Sequence, residues 1–254
     1  MLTVHHLNNS RSQRVLWLLV SYKKRFTVQL TKWQCSLMIV FQPIGTGHLL
    51  NVQEELKVEY EIKKYQRTAE SRAPLELLKV HPLGKSPVIT DGDDVVLAES
   101  GAIVEYIIQK YGNGKCTPTE PGYLDNLYFT HYAESSLMPI GMLKIVFDYI
   151  PKSSPFFLRP LLNAIFNQID KRFVTPELTK HMDLVEKHLE KTNSSWFAGG
   201  AEPTSADFQM FYVLDTLIGF SGYPAGPKTK AYVGMVRSRP AYVRGLEKSG
   251  EAQT

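Results

Sequence analysis

Cysteine is scarce: the 254 residues hold only Cys35 and Cys116. Two are too few for a disulfide framework and fit a reducing compartment. Neither lies in a Cys-x-x-Cys, and no Cys/His cluster has metal-ligand spacing. A run of about 18 uncharged apolar residues is missing, so no membrane span is expected. The start, MLTVHHLNNSRSQR, lacks the charged head and long apolar stretch of a signal peptide, which makes a cytoplasmic location the expectation. Acidic residues are absent from Val20 to Gln53, a segment that carries Lys23, Lys24, Arg25 and Lys32. The net charge of +4 and the pI near 8.9 therefore come from one stretch, and the rest is neutral. A basic balance spread over a face would suggest nucleic acid or anionic lipid; one this local does not, and no nucleic-acid partner is expected.

What is present reads as an ordinary globular protein, 43% hydrophobic and 21% charged. Leu2 to Leu7 is a short apolar run, a candidate buried strand. Asn8, Asn9 and Ser10 supply turn and cap residues, and Val15, Leu16, Leu18 and Leu19 begin a helical face. Glu54 to Lys57 reads as the tail of a helix and Val58 to Tyr65 alternates like a strand. PLELLKV, Pro74 to Val80, fits a helix with Pro in its first turn. Pro87 to Thr90 and Val95 to Ala98 are short strands about the turn Asp91-Gly92-Asp93. SGAIVEYIIQKY, Ser100 to Tyr111, has apolar residues at helical spacing, and Gly112 is a stop. The order strand, helix, strand, helix, strand, strand, helix makes a small α/β unit. Gly112 to Gly122 reads as a linker. After it, Tyr123 to Phe147, Leu161 to Leu189, Thr204 to Phe220 and Thr229 to Val236 are all helical in period, with no strand. Thr204 to Asp207 (TSAD) has capping-box spacing, with Asp for Glu, and marks a helix start.

Four segments in order, HHLNNSRSQRVLWLL, HPLGKSPVI, LAESGAIVEYI and PTSADF, resemble the glutathione transferases, in particular the fungal-type cytosolic family. The resemblance implies α/β plus all-α architecture: a thioredoxin-like N-terminal domain over residues 1–112, a linker over 113–122, and an all-helical C-terminal domain over 123–254 that lines the electrophile site. It implies joining of the glutathione thiol to apolar electrophiles, peroxide reduction by the same thiolate, and a homodimer. No metal or organic cofactor is implied beyond glutathione as co-substrate. A non-catalytic glutathione-binding or regulatory protein on the same fold is the alternative.

The chemistry explains the residue types. A free thiol with pKa about 8.5 is only a few per cent ionised at neutral pH. A hydroxyl donating to the sulfur favours the thiolate, by about one to two pKa units if the bond contributes about 1.5–3 kcal/mol. Ser10, four residues before Arg14, matches the activating serine of serine-type transferases; Asn9 and Ser12 are its rivals, a plain helix N-cap is its structural alternative, and Arg14 reads as structural. Ser86-Pro87 resembles the family's cis-proline step, whose preceding residue offers its backbone to the cysteinyl part of glutathione; a trans proline at an edge strand is the alternative. Lys85 would sit near the glycyl carboxylate, or be a solvated lysine. Glu99-Ser100 would hold the γ-glutamyl group, Glu99 taking the ammonium and the helix start at Ser100 the carboxylate; otherwise Glu99 merely favours the helix dipole. Tyr128, His131, Tyr132 and Met138 on the first helix of the second domain are candidates for the electrophile cleft, with core or interface roles as the alternative.

One segment interrupts this pattern. Joining Leu19 to Glu54 yields RVLWLLEELKVEYEIKKYQR, a continuous amphipathic helix followed by a strand. The 34 residues between, Val20 to Gln53, break that helix in mid-turn; removing them leaves 220. Their 102 nucleotides would keep frame, Val-Ser-Tyr can be encoded GTA AGT TAY, and Gln53 can be CAG. The segment therefore reads as a translated intron. The alternative is a genuine insertion in which Leu37 to Phe41 (LMIVF), beside basic residues, contacts a membrane or partner.

Overall fold

A computed structural model describes residues 2–7, 55–56, 60–66, 68, 73–192, 196–219 and 221–249. Strands β1 (Leu2–Leu7), β2 (Glu61–Tyr65), β3 (Val88–Asp91) and β4 (Val95–Ala98) form one sheet in the order β2-β1-β3-β4. β1 runs parallel to β2 and antiparallel to β3, and β3 is antiparallel to β4. A parallel pair needs a crossover, which the long connection from β1 to β2 supplies; the β3–β4 pair needs only the Gly92 turn, whose φ is +64°. Alternation then sorts the side chains. Leu2, Val4, Ile62 and Ile89 pack with Ile103, Val104 and Ile107 of helix α1 (Ser100–Tyr111). The opposite face presents His5, whose Nδ1 meets the Tyr65 hydroxyl at 2.9 Å. Tyr65 shares a small cluster with Leu77 of the 3₁₀ helix Leu75–Lys79.

The sequence pattern predicts an α-helix at 74–80, and the structure has this tighter 3₁₀ turn instead. Two of its leucines, Leu75 and Leu78, are exposed, so little burial favours extending it. β2 starts at Glu61, three residues after the expected Val58. The Asp91 carboxylate anchors α1 to the end of β3 by accepting from Tyr106 (2.8 Å), Lys110 (2.7 Å) and Tyr111 (2.5 Å). Burial would raise its pKa, but those three donors hold it below the ordinary carboxylate range.

Beyond residue 112 the described chain is helical. α2 (Tyr123–Tyr132), a π turn (Ala133–Leu137) and α3 (Met138–Ser153) make one long rod. α4 (Arg159–Ile169), a second π turn (Asp170–Val174) and α5 (Thr175–Lys191) make another. Lys144 ties the rods, reaching Asp148 at 2.7 Å and Asp170 at 3.4 Å. α6 (Ser205–Gly219) is buried on nearly every side, as its near-continuous apolar run requires. α7 (Pro227–Ser238) and α8 (Pro240–Ser249) close the bundle. Gly141 lets α3 approach α6 closely: a Cβ there would lie 2.7 Å from Leu217 Cδ2. The two halves share one apolar core. They are also joined by an ion pair, Arg239 Nε to Glu55 Oε1 at 2.5 Å, with the guanidinium 4.9 Å from the Trp196 ring centre.

Candidate functional site

One residue of the sheet sets the geometry. Val88, the first residue of β3, is paired with His5 on one side and with Ala98 on the other. Ser86-Pro87 directly precedes Val88, and Glu99-Ser100 directly follows Ala98. Both dipeptides therefore lie at one edge of the sheet, the edge at which β1 ends. The β3–β4 hairpin about the Gly92 turn makes this juxtaposition across 13 residues, and the pairing of Val88 with His5 brings β1 to it.

The Ser86-Pro87 peptide is cis. The Ser86 hydroxyl donates to the His5 carbonyl oxygen at 2.8 Å, so this side chain ties the loop to β1. Pro87 is buried and Lys85 is exposed. Gly84, before them, has φ +55° and lies against the 3₁₀ helix, where a Cβ would meet Leu78 Cδ2 at 2.7 Å. The bond from Gly84 N–H to His81 O at 2.8 Å holds the loop in place.

Glu99 is an exposed residue at φ 70°, ψ 117°, immediately before α1, and its side chain does not cap that helix. A non-glycine residue at such a φ costs about 1–3 kcal/mol and persists where surrounding structure enforces it. Here the pairing of β4 and the start of α1 on consecutive residues enforce it, and Ile103 N–H already donates to the Glu99 carbonyl at 2.9 Å. Ser100 is buried, 5% exposed. The first-turn amides of α1 have no acceptors within the helix, so the edge offers N–H donors and a partial positive charge beside an acidic side chain. That arrangement suits a zwitterion carrying a carboxylate and an ammonium group.

His5 escaped the sequence reading. Its ring touches Tyr65 and, at 3.4 Å, Thr90 Oγ1. Burial, with a smaller push from Lys63, lowers its pKa to about 4, so it is neutral at physiological pH. It braces β1, β2 and β3 below the edge. The pair His5-His6 within the short strand LTVHHL was the available signal.

Ser10 with its rivals Asn9 and Ser12, Arg14, and the segment 20–53 lie outside the described residues. The electrophile candidates separate. Met138 and Tyr132 are core residues, 4% and 6% exposed, and the Tyr132 hydroxyl bonds to His181 Nδ1. Tyr128 and His131 are exposed and, with Leu124, Leu127, His181, Leu184 and the edge of Tyr132, line a groove of about 820 Å³ between α2 and α5. Among the described residues, none of the sheet edge lines that groove. The TSAD motif starts α6: Asp207, fully buried, accepts from the N–H groups of Thr204 (2.8 Å) and Phe197 (3.0 Å) and from the Thr204 (3.1 Å) and Tyr232 (3.2 Å) hydroxyls. Burial drives its carboxyl up to about 6 against the pull of those four bonds. Among the described residues, no group of three His, Cys, Asp or Glu could hold a metal ion, and no helix is long and apolar enough to cross a membrane.

A small mixed sheet with a proline loop and helix start at one edge is followed by a helical bundle, a two-part architecture of α/β and all-α halves. Comparison with known proteins makes this specific. The family model described as "Glutathione S-transferase, N-terminal domain" matches residues 39–109, and "Glutathione S-transferase, C-terminal domain" matches residues 158–243. The chain is 31% identical to "Glutathione S-transferase 3" of Schizosaccharomyces pombe, over 95% of this chain and 85% of that protein. It is 27% identical to "Glutathione S-transferase 1" of Saccharomyces cerevisiae, over 97% and 94%. A crystal structure of a glutathione S-transferase from Actinobacillus pleuropneumoniae superposes with TM-score 0.66 at 26% identity, covering 99% of this chain and 94% of that one. A transferase homologue from Lodderomyces elongisporus, crystallised with two glutathione molecules per subunit, shares the fold at TM-score 0.64 and 14% identity, over 97% and 98%. The chain belongs to the glutathione S-transferase family.

Proposed function

We propose that this protein joins the thiolate of glutathione to small apolar electrophiles. The observation that supports this most is the double pairing of Val88, with His5 and with Ala98. It gathers Ser86-Pro87 and Glu99-Ser100 at the edge from which β1 leads on to Ser10. In this reading the γ-glutamyl carboxylate takes the first-turn amides of α1 and its ammonium takes Glu99. The cysteinyl backbone pairs with that of Ser86, beside cis Pro87, and Lys85 meets the glycyl carboxylate. Ser10 donates its hydroxyl proton as a hydrogen bond to the sulfur, which favours thiolate over thiol. The thiolate attacks the electrophile, a carbon–sulfur bond forms, and the leaving group departs with its electron pair; in an addition, the electrophile is protonated instead. Residues 1–112 thus hold glutathione and residues 123–254 supply the apolar wall.

A homodimer belongs to the same reading. Tyr123, Leu124, Leu127 and Tyr128 on α2 and Leu184 on α5 are all more than two-fifths exposed, a face suited to a second copy. Light scattering of the full chain checks this, and a monomer would overturn it.

Retention on immobilised glutathione tests the binding half of the proposal, with the full chain beside a version lacking Val20–Gln53. Elution of both by free glutathione is expected if the segment is a tolerated insertion, and of the shorter version alone if it is a translated intron. Retention of neither removes the glutathione reading. Ser10→Ala tests the chemical half: turnover should fall far more than glutathione affinity. Equal losses would leave a glutathione-binding protein without this activation.

A further inference from the structure

The turn between α3 and α4 presents exposed apolar surface. None of the 11 residues of α4 is buried. Phe156 and Phe157, just before it, are 79% and 67% exposed and pack edge to face against each other at 5.7 Å. Leu158, Leu161 and Ile165 continue the exposed stripe at helical spacing. Beside that stripe, Ala164, Asn167, Gln168, Lys171 and Arg172 line a shallow concavity of about 550 Å³.

The charge around this patch has one sign. Residues 149–172 hold Lys152, Arg159, Lys171 and Arg172, all exposed, and one acid, Asp170. Asp170 is occupied by Lys144 at 3.4 Å and by the Thr175 hydroxyl at 3.0 Å. Asp148, just outside, is held by the same Lys144 at 2.7 Å. An apolar stripe flanked by cations is what an amphipathic helix needs to lie in a lipid headgroup layer. A second copy of the chain fits less well, because a two-fold contact here would bring cations against cations.

We propose that the α3–α4 turn and α4 form a docking surface for an anionic lipid membrane. Phe156 and Phe157 enter the boundary between headgroups and acyl chains, Leu161 and Ile165 lie along it, and the Lys171/Arg172 concavity receives headgroup phosphates. This inference is independent of the thiol chemistry and places the contact far in sequence from the segment 20–53.

Flotation of the full chain with phosphatidylcholine vesicles carrying about 30 mol % phosphatidylserine tests it. The protein should float with these vesicles and much less with phosphatidylcholine alone. The pair Phe156→Ser/Phe157→Ser should lower partitioning at least tenfold, and Lys171→Glu/Arg172→Glu by about twentyfold or more. Because the second pair replaces exposed side chains only, it reads the surface without disturbing a core. The proposal is overturned if the protein does not float, if it floats equally on both vesicles, or if either pair floats like the parent chain. It is equally overturned if Phe156→Ser/Phe157→Ser converts a dimer to monomers without vesicles, since the patch is then a self-interface.

Discussion

The starts of α6 and α1 each have an acidic residue beside them, and the two are built in opposite ways. At α6, Asp207 is fully buried and takes four hydrogen bonds from Thr204, Phe197 and Tyr232. At α1, Glu99 is exposed, sits at φ 70° and leaves the helix uncapped by its side chain. The first arrangement places a carboxylate among the backbone and hydroxyl donors that need it. The second keeps donors and a carboxylate apart on a strained backbone. A helix start whose own acidic side chain satisfies it is structural; one whose acidic side chain stays exposed on a strained backbone is suited to a ligand.

The sharpest way to break this comparison is at Asp207. Asp207→Ala strands two amides and two hydroxyls in the core and should cost about 3–5 kcal/mol, seen as a lowered urea midpoint. A loss below about 1 kcal/mol would show that the network is not structural.

Next in size is the pH response of His5. Its folded pKa of about 4 lies below the unfolded value of 6.5. Stability is therefore complete above pH 6.5 and is lost as pH falls from 6.5 toward 4, by up to about 3 kcal/mol. His5→Gln should flatten that part of a urea-midpoint profile against pH; an unchanged slope would remove His5 as the cause.

Ser10→Ala follows, with an expected 10- to 150-fold loss of kcat from about 1.5–3 kcal/mol of charge-assisted bonding. Glu99→Gly then reads the open helix start directly. Glycine tolerates φ 70°, so stability should rise by about 0.5–1 kcal/mol after its own entropic cost. Glutathione affinity, measured by calorimetry, should fall about tenfold with loss of a charge-assisted partner. A variant that loses stability while keeping affinity would reverse the roles assigned to α1 and α6. The smallest effect belongs to Arg239→Ala, about 1 kcal/mol for a partly exposed ion pair that joins the two halves.

Much of this was legible in the residue pattern. Ser100–Tyr111 and Val95–Ala98 fall where periodicity and turn residues set them, because each carries its own apolar face and stop signal. TSAD announced its helix start because capping is local chemistry over three residues. The same locality explains the failures. The segment 75–79 has leucines at helical spacing, but only Leu77 finds a core, so a short 3₁₀ turn results. Met138 reads as a cleft candidate, yet the bundle buries it and it does not line the α2–α5 groove that Tyr128, His131 and Tyr132 reach; one-dimensional spacing cannot tell which face of a helix meets a neighbour. Asp91 looked like a turn residue, and only folding brought Tyr106, Lys110 and Tyr111 to it.

By itself, then, the sequence determined the element order, the switch from mixed α/β to all-helical at residue 112, the cap of α6 and the family-like dipeptides Ser86-Pro87 and Glu99-Ser100. Each rests on neighbours within a turn or two of chain. Tertiary structure alone decided that β1 joins those dipeptides at their edge, that His5 is buried and neutral beneath it, that Arg239 reaches Glu55 across 184 residues, and that Phe156 and Phe157 are exposed. These are properties of packing and strand register, where the partners are set by the whole core and not by any segment's own preference.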